Sequence, residues 1–172
     1  MLESITISLV STLISYLFEV NILRTSTIEI DGAPYWYGKQ NDKNKIYVST
    51  YIDGNISKLD KSKQIVASKI TVIIEEAYNV IIRKEFLYDR SKKELDFIKA
   101  MQYDPNLKSF VKKNIVYQNI KYDEDLNRIF IRGYLSLDKL KKYQEKRSIE
   151  IKKRLLDYQF DDMMEELEKE AS

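Results

Sequence analysis

Residues 57–86, SKLDKSKQIVASKITVIIEEAYNVIIRKEF, place the strongest demand on this chain. Val66, Ile70, Ile73, Ala77 and Val80 recur at three and four residues, the period of one helical face. Ile65, Val72, Ile74 and Ile81 widen that face greatly. A helix apolar around most of its circumference has to be wrapped by other elements. The candidate wrapping element is a sheet. Ser57 and Asp60 make a start like a capping box, with Asp in place of Glu.

The flanking sequence supplies strands. KIYVSTYID, residues 45–53, alternates Ile46, Val48, Thr50 and Ile52 with Tyr47, Ser49 and Tyr51, and Gly54 ends it. That period of two, in β-branched and aromatic residues, predicts a half-buried strand. A second helix is expected over 91–102, with Leu95, Ile98 and Met101 inward, and Asp104-Pro105 breaks it. A hairpin follows: a strand over 110–122, the turn DEDLN, and a return strand RIFIRGYLSL. Gly133 in the return strand points to a bulge or a close helix–strand approach. Ser136 can cap a last helix running to about residue 170. Its stripe is Leu156, Phe160, Met163 and Leu167, with Ile151, Leu155 and Tyr158 beside it. Such a stripe packs on its own domain or meets a partner helix.

The N-terminal run ITISLVSTLISYLFEVNIL, residues 5–23, leaves three readings open. It just reaches the roughly 20 apolar residues that a spanning helix needs, so it can be an uncleaved membrane anchor. It can be a degenerate signal sequence, although it lacks early basic residues and a small-residue cleavage site. It can also be a buried or oligomerising helix. The expected organisation is an apolar anchor or signal-like segment (1–24), a connector with a possible strand at 27–30 (25–44), an α+β domain (45–142), and an amphipathic C-terminal helix (143–172).

Composition narrows the chemistry. The 172 residues contain no cysteine and no histidine. That excludes disulfides, thiolate nucleophiles, Cys/His zinc sites and every triad with a histidine base. Net charge is +2, from 29 basic and 27 acidic side chains mixed in sign along the chain, so nucleic acid is not an expected partner. Glu75-Glu76 would point to different helix faces. Asp123-Glu124-Asp125 falls in the expected turn, where Asp bonds its own backbone. Four scattered glycines make no phosphate loop. No enzyme activity and no cofactor are expected.

One short stretch concentrates rare residues. GAPYWYGKQ, residues 32–40, holds two of the four glycines, one of the two prolines and the only tryptophan. Pro34, Tyr35 and Trp36 match a P-x-W motif. Ala67 and Ala77 lie in the central helix, and the strand from 128 to 140 closes the hairpin. Over residues 33–142 the chain resembles the twenty-kilodalton lipoprotein family of epsilonproteobacteria. That family includes a flagellar basal-disk lipoprotein, and the TNF-alpha-inducing protein is similar to it. The resemblance implies an α+β, dodecin-like fold, in which a curved antiparallel sheet wraps one long helix. It also implies a non-enzymatic structural protein of the bacterial envelope, expected in the periplasm, that oligomerises and meets the membrane through residues 5–23. Other envelope or flagellar proteins are then expected partners. The alternative is a module binding a lipid or small apolar ligand between helix and sheet. Pro34 and Trp36 would form a lid on an open edge of the core. Unlike those lipoproteins, this chain has no cysteine to lipidate, and its C-terminal helix is longer.

Overall fold

The computed structural model describes residues 2–23, 30–39, 42–86 and 90–170, with side chains for 4–20, 30–39, 42–86 and 90–157. The order is α1 (Leu2–Leu23), β1 (Lys45–Asp53), α2 (Leu59–Ile81), α3 (Lys92–Gln102), α4 (Leu107–Asn114), β2 (Val116–Asp123), β3 (Arg128–Ser136) and α5 (Leu137–Glu170). A 3-10 turn (Ile56–Lys58) leads into α2, and a π-helical turn (Ile82–Phe86) ends it. The class is α+β, with one antiparallel sheet in the order β1-β3-β2.

α2 lies on one face of the sheet. Val66, Ala67, Ile70, Ile74, Ala77 and Ile81 are buried against Ile46, Val48, Ile131 and Leu135. The expected wrapping of α2 is incomplete. Ile65 and Ile73 are only partly buried, and Val72 is 47% exposed. Two of the buried hydroxyls of α2 are satisfied locally: Ser62 and Thr71 each donate to the carbonyl four residues back, while the buried Tyr78 hydroxyl finds no partner among the described residues.

The N-terminal run folds into the same core. Ile5, Leu9, Val10, Leu13 and Leu17 are buried in the apolar cluster that also holds α2, α3 and α5 residues. Ser4, Ser8, Ser11, Ser15 and Glu19 form the exposed face. Their spacing of four, three, four and four is helical, so these serines and Glu19 mark the water side of α1. Among the described residues no helix is long and apolar enough to cross a membrane. Of the three readings, the burial of Ile5, Leu9, Val10, Leu13 and Leu17 matches that of a buried helix. The segment and α5 share one core with residues 45–142, rather than flanking it as appendages.

Other local expectations shift. Residues 110–114 were expected in a strand but lie in α4. Leu107 and Val111, one helical turn apart, are both buried, and tertiary burial overrides the β-branched run. Asn55, not Ser57, caps the turn before α2, its side chain accepting from the Ser57 N–H. In α3 it is Phe97, with Ile98 and Met101, that is fully buried, while Leu95 is half-buried. The possible strand at 27–30 falls largely outside the described residues.

Ser91 caps α3. Its hydroxyl accepts from the Glu94 N–H while Glu94 accepts from the Ser91 N–H at 2.8 Å, a complete capping box. The Ser91 N–H holds the Glu94 carboxyl below its ordinary range. Ser91→Ala is expected to destabilise the protein by about 1 kcal/mol, read from the urea midpoint. The Ser91 N–H survives that substitution; its bond to the ionised Glu94 carboxylate is a separate contribution, full above the ordinary glutamate value of 4.5 and fading as pH falls below it.

Candidate functional site

Three regions are candidates for function. The first is the flank of α2 beneath the free edge of β1. β1 runs nine residues in unbroken register with β3, from Lys45 opposite Ser136 to Asp53 opposite Arg128. It is an edge strand, with no described strand on its other side. The opposite edge, β2, is blunted: its register slips between Tyr117 and Asn119, and Lys121 lies exposed along it. β1 carries no bulge. Alongside it runs a groove of about 610 Å³. Its floor is Val48, Ile65, Val72 and Ile73, and its rim carries Lys61, Lys69 and Glu76. Lys69 crosses the groove to donate to Thr50 Oγ1 at 3.1 Å. The groove meets a second one, about 310 Å³, at Ile73 and Glu76, where α1 lies beside α2.

The second region is the outer face of the sheet, covered by residues 30–39. Gly32 (φ +71°) and Gly38 (φ +72°) make the turns, which explains two glycines in so short a stretch. The segment is tied down by Arg128 donating to the Asp31 carbonyl, Lys121 to the Gly32 carbonyl, and the Gly38 N–H to Ser49 Oγ. Tyr37 sets its edge on Phe130, with ring centroids 5.7 Å apart. Pro34 starts a turn closed by the Tyr37 N–H on its carbonyl, and Trp36 is buried. Pro34 and Trp36 thus belong to a strap over the face opposite α2, not to a lid at the helix–sheet edge. Among the described residues, the strap's hydrogen bonds beyond its own turns run to outer-face residues, and Trp36 lies outside the cluster around α2.

The third region ties α5 to the end of α3. Arg147 donates from Nη1 to the Met101 carbonyl and from Nη2 to those of Ala100 and Tyr103. Its Nε lies 3.4 Å from Asp104 Oδ2. Tyr143 Oη lies 2.9 and 3.0 Å from the two Asp104 oxygens and donates its single proton to them. Burial, then the Asp104 charge, pushes the Tyr143 phenol up. The Tyr143 ring also stacks on Phe110 at 4.0 Å, joining α4 to α5. An open pocket of about 590 Å³ lies over this cluster. Every nitrogen of Arg147 is engaged in holding the α3 terminus, where carbonyls would otherwise be orphaned, so the cluster works as a clamp. Sequence reading missed it because Gln144, Arg147 and Ser148 are polar yet occupy the buried stripe of α5, between Leu140 and Ile151. Their spacing, continued from Leu137 and Leu140, was the available signal.

The remaining sequence-predicted positions are structural or uncommitted. Ala67 and Ala77 are buried on α2. At Gly133 a Cβ would sit 3.1 Å from Val66 Cγ1, the expected close helix–strand approach, and the β2 slip lies directly across from it. Leu156 is 53% exposed, while the side chains of Phe160, Met163 and Leu167 lie outside the described residues. Glu75 and Glu76 are both exposed, and Asp123 accepts from the Leu126 N–H within its own turn. No family model, curated protein or solved structure matches the chain.

Proposed function

We propose that this is a non-enzymatic assembly protein that joins copies of itself at the β1 edge. The observation that carries this reading is the pairing of an unblunted nine-residue edge strand with a bare apolar flank of the helix beneath it. Unpaired strand edges template pairing with another chain unless they are blunted. Antiparallel pairing of two β1 strands about a two-fold axis would extend the sheet and bring the two α2 flanks together. Lys61, Lys69 and Glu76 give the rim both signs of charge, which a self-complementary contact requires. It would also complete the wrapping that the sequence of α2 demands. We read the sheet-on-helix layer as the dodecin-like arrangement. The bacterial envelope as the setting, periplasmic and associated with a flagellar or surface assembly, rests on the PYW motif and the order of elements alone. A second reading, a lipid or small apolar ligand in the same groove, is favoured by the groove's volume and apolar floor.

The full chain is expected to run as a dimer or larger species in size-exclusion chromatography with light scattering. Val72→Glu should shift it to monomer while changing stability by no more than about 0.5 kcal/mol, as for an exposed site. A wild-type chain that stays monomeric at high concentration would overturn self-assembly. A rise in melting temperature with added lipid, lost in Val72→Glu, would then favour the ligand reading.

A further inference from the structure

The outer face of β3 alternates cation and aromatic: Arg128, Phe130, Arg132 and Tyr134. Arg128 is engaged in a conventional way through two of its nitrogens. Its Nε lies 2.7 Å from Asp53 Oδ1, and its Nη1 donates to the Asp31 carbonyl. Arg132, one cross-strand step along, differs. It is 1% exposed, and its Nε and Nη2 find no acceptor among the described residues. Those two nitrogens present the parallel N–H bonds on one side of the guanidinium. That fork takes a carboxylate or phosphate group bidentately. The Tyr47 ring lies 4.1 Å from the guanidinium carbon. A ring face offsets part of the charge but accepts no in-plane hydrogen bond.

A buried charge without a partner is the exception in folded proteins. Burial lowers the Arg132 pKa, yet an arginine does not give up its proton in a protein, so the charge persists. The surroundings suit an anion. Ser49 and Asn119 are the cross-strand partners of Arg132 on its two sides, a hydroxyl and an amide. The strap closes over this point, since the Gly38 N–H reaches Ser49 Oγ at 3.3 Å. The strap turns on two glycines at positive φ, and its Tyr37 ring sits on Phe130, the neighbour of Arg132 on the outer face of β3, with Trp36 beside it.

We propose that Arg132 is the receptor for a small oxyanion, held bidentately between β1 and β2 beneath the strap of residues 30–39. The class of ligand is a carboxylate or phosphate monoanion small enough to be covered by Trp36 and Tyr37. Access requires the Tyr37–Gly38 part of the strap to lift. This site is independent of the β1 edge, so it stands or falls apart from self-assembly.

The test uses the full chain with phosphate, acetate and benzoate, against chloride at matched ionic strength. At least one oxyanion should raise the wild-type melting temperature by several degrees and change the fluorescence of Trp36, the sole tryptophan, in a saturable way. Arg132→Lys should lose most of both responses, because an ammonium cannot reproduce the fork. Arg132→Met should lose all of them. If Arg132→Met does not fold, the wild-type fluorescence titration and Arg132→Lys decide. A wild-type chain that shows neither response overturns the proposal, as does an equal response in Arg132→Lys. The chain's own Glu29, just before the strap, offers an internal carboxylate. If Glu29→Gln and Arg132→Met lower the melting temperature equally and without adding, and no anion acts on the wild type, the fork is closed by the chain itself and the proposal falls.

Discussion

Leu13→Ala is expected to destabilise the protein by about 2–5 kcal/mol, the cost of deleting a buried leucine side chain and leaving a cavity. Leu13 is fully buried, on the stripe with Ile5, Leu9 and Leu17 that α1 presses against α2 and α5. Ile7, two turns earlier and 71% exposed, is the control, and Ile7→Ala should shift stability by no more than about 0.5 kcal/mol. Urea unfolding of both variants measures the difference. A Leu13→Ala protein as stable as wild type would mean that the first helix does not belong to the core and would reopen the anchor reading. The same burial makes truncation at residue 25 a core deletion. It removes Ile5, Leu9, Val10, Leu13 and Leu17 at once, so assembly has to be measured on the full chain.

Arg147→Met should cost about 3–5 kcal/mol, the penalty for stranding one partner of a buried ion pair. The methionine keeps much of the volume but leaves three carbonyls at the α3 terminus without their donor. It also leaves the Asp104 carboxylate, whose side chain is 3% exposed, without its cation, held only by the neutral Tyr143 hydroxyl and Asn106 N–H donors among the described residues. The positive charge is moreover well placed at a helix C-terminus. Arg147→Lys keeps the charge without the fork and should lie between wild type and Arg147→Met. In the double variant Arg147→Met/Asp104→Leu the uncompensated carboxylate is gone, so its loss should be smaller than the sum of the two single losses. A single-variant loss below about 1 kcal/mol would show that water already reaches the pair and screens it.

The elements that short-range pattern determines were legible. β1 reads from its alternation, α2 from its period, α3 from Ser91 and the Asp104-Pro105 stop, and the turns of the strap from Gly32 and Gly38. Gly133 was readable as a close approach because a glycine inside an apolar strand has few other uses. Residues whose role depends on a distant partner were misread or missed. Phe110–Asn114 looks like strand until Leu107 and Val111 are seen buried together. Trp36 was expected at an open edge of the core, because nothing local says where across a sheet a strap will run. Arg132 and Arg147 are both buried arginines in β3 and α5; Arg147 continues the stripe of Leu137 and Leu140, but an arginine on such a stripe does not by itself announce its burial.

By itself the sequence determined the α+β class, the absence of cysteine and histidine chemistry, and the need of α2 for cover on most of its surface. These follow from residue identity and from spacing within a few turns, which the chain carries wherever it sits. Only the tertiary structure decided that α1 serves as part of that cover, that one flank of α2 stays bare beside an open strand, and that one arginine is clamped while another is left without an acceptor. Those outcomes depend on which surfaces meet across long loops, and the burial of a side chain is a property of its neighbours rather than of its own position in the sequence.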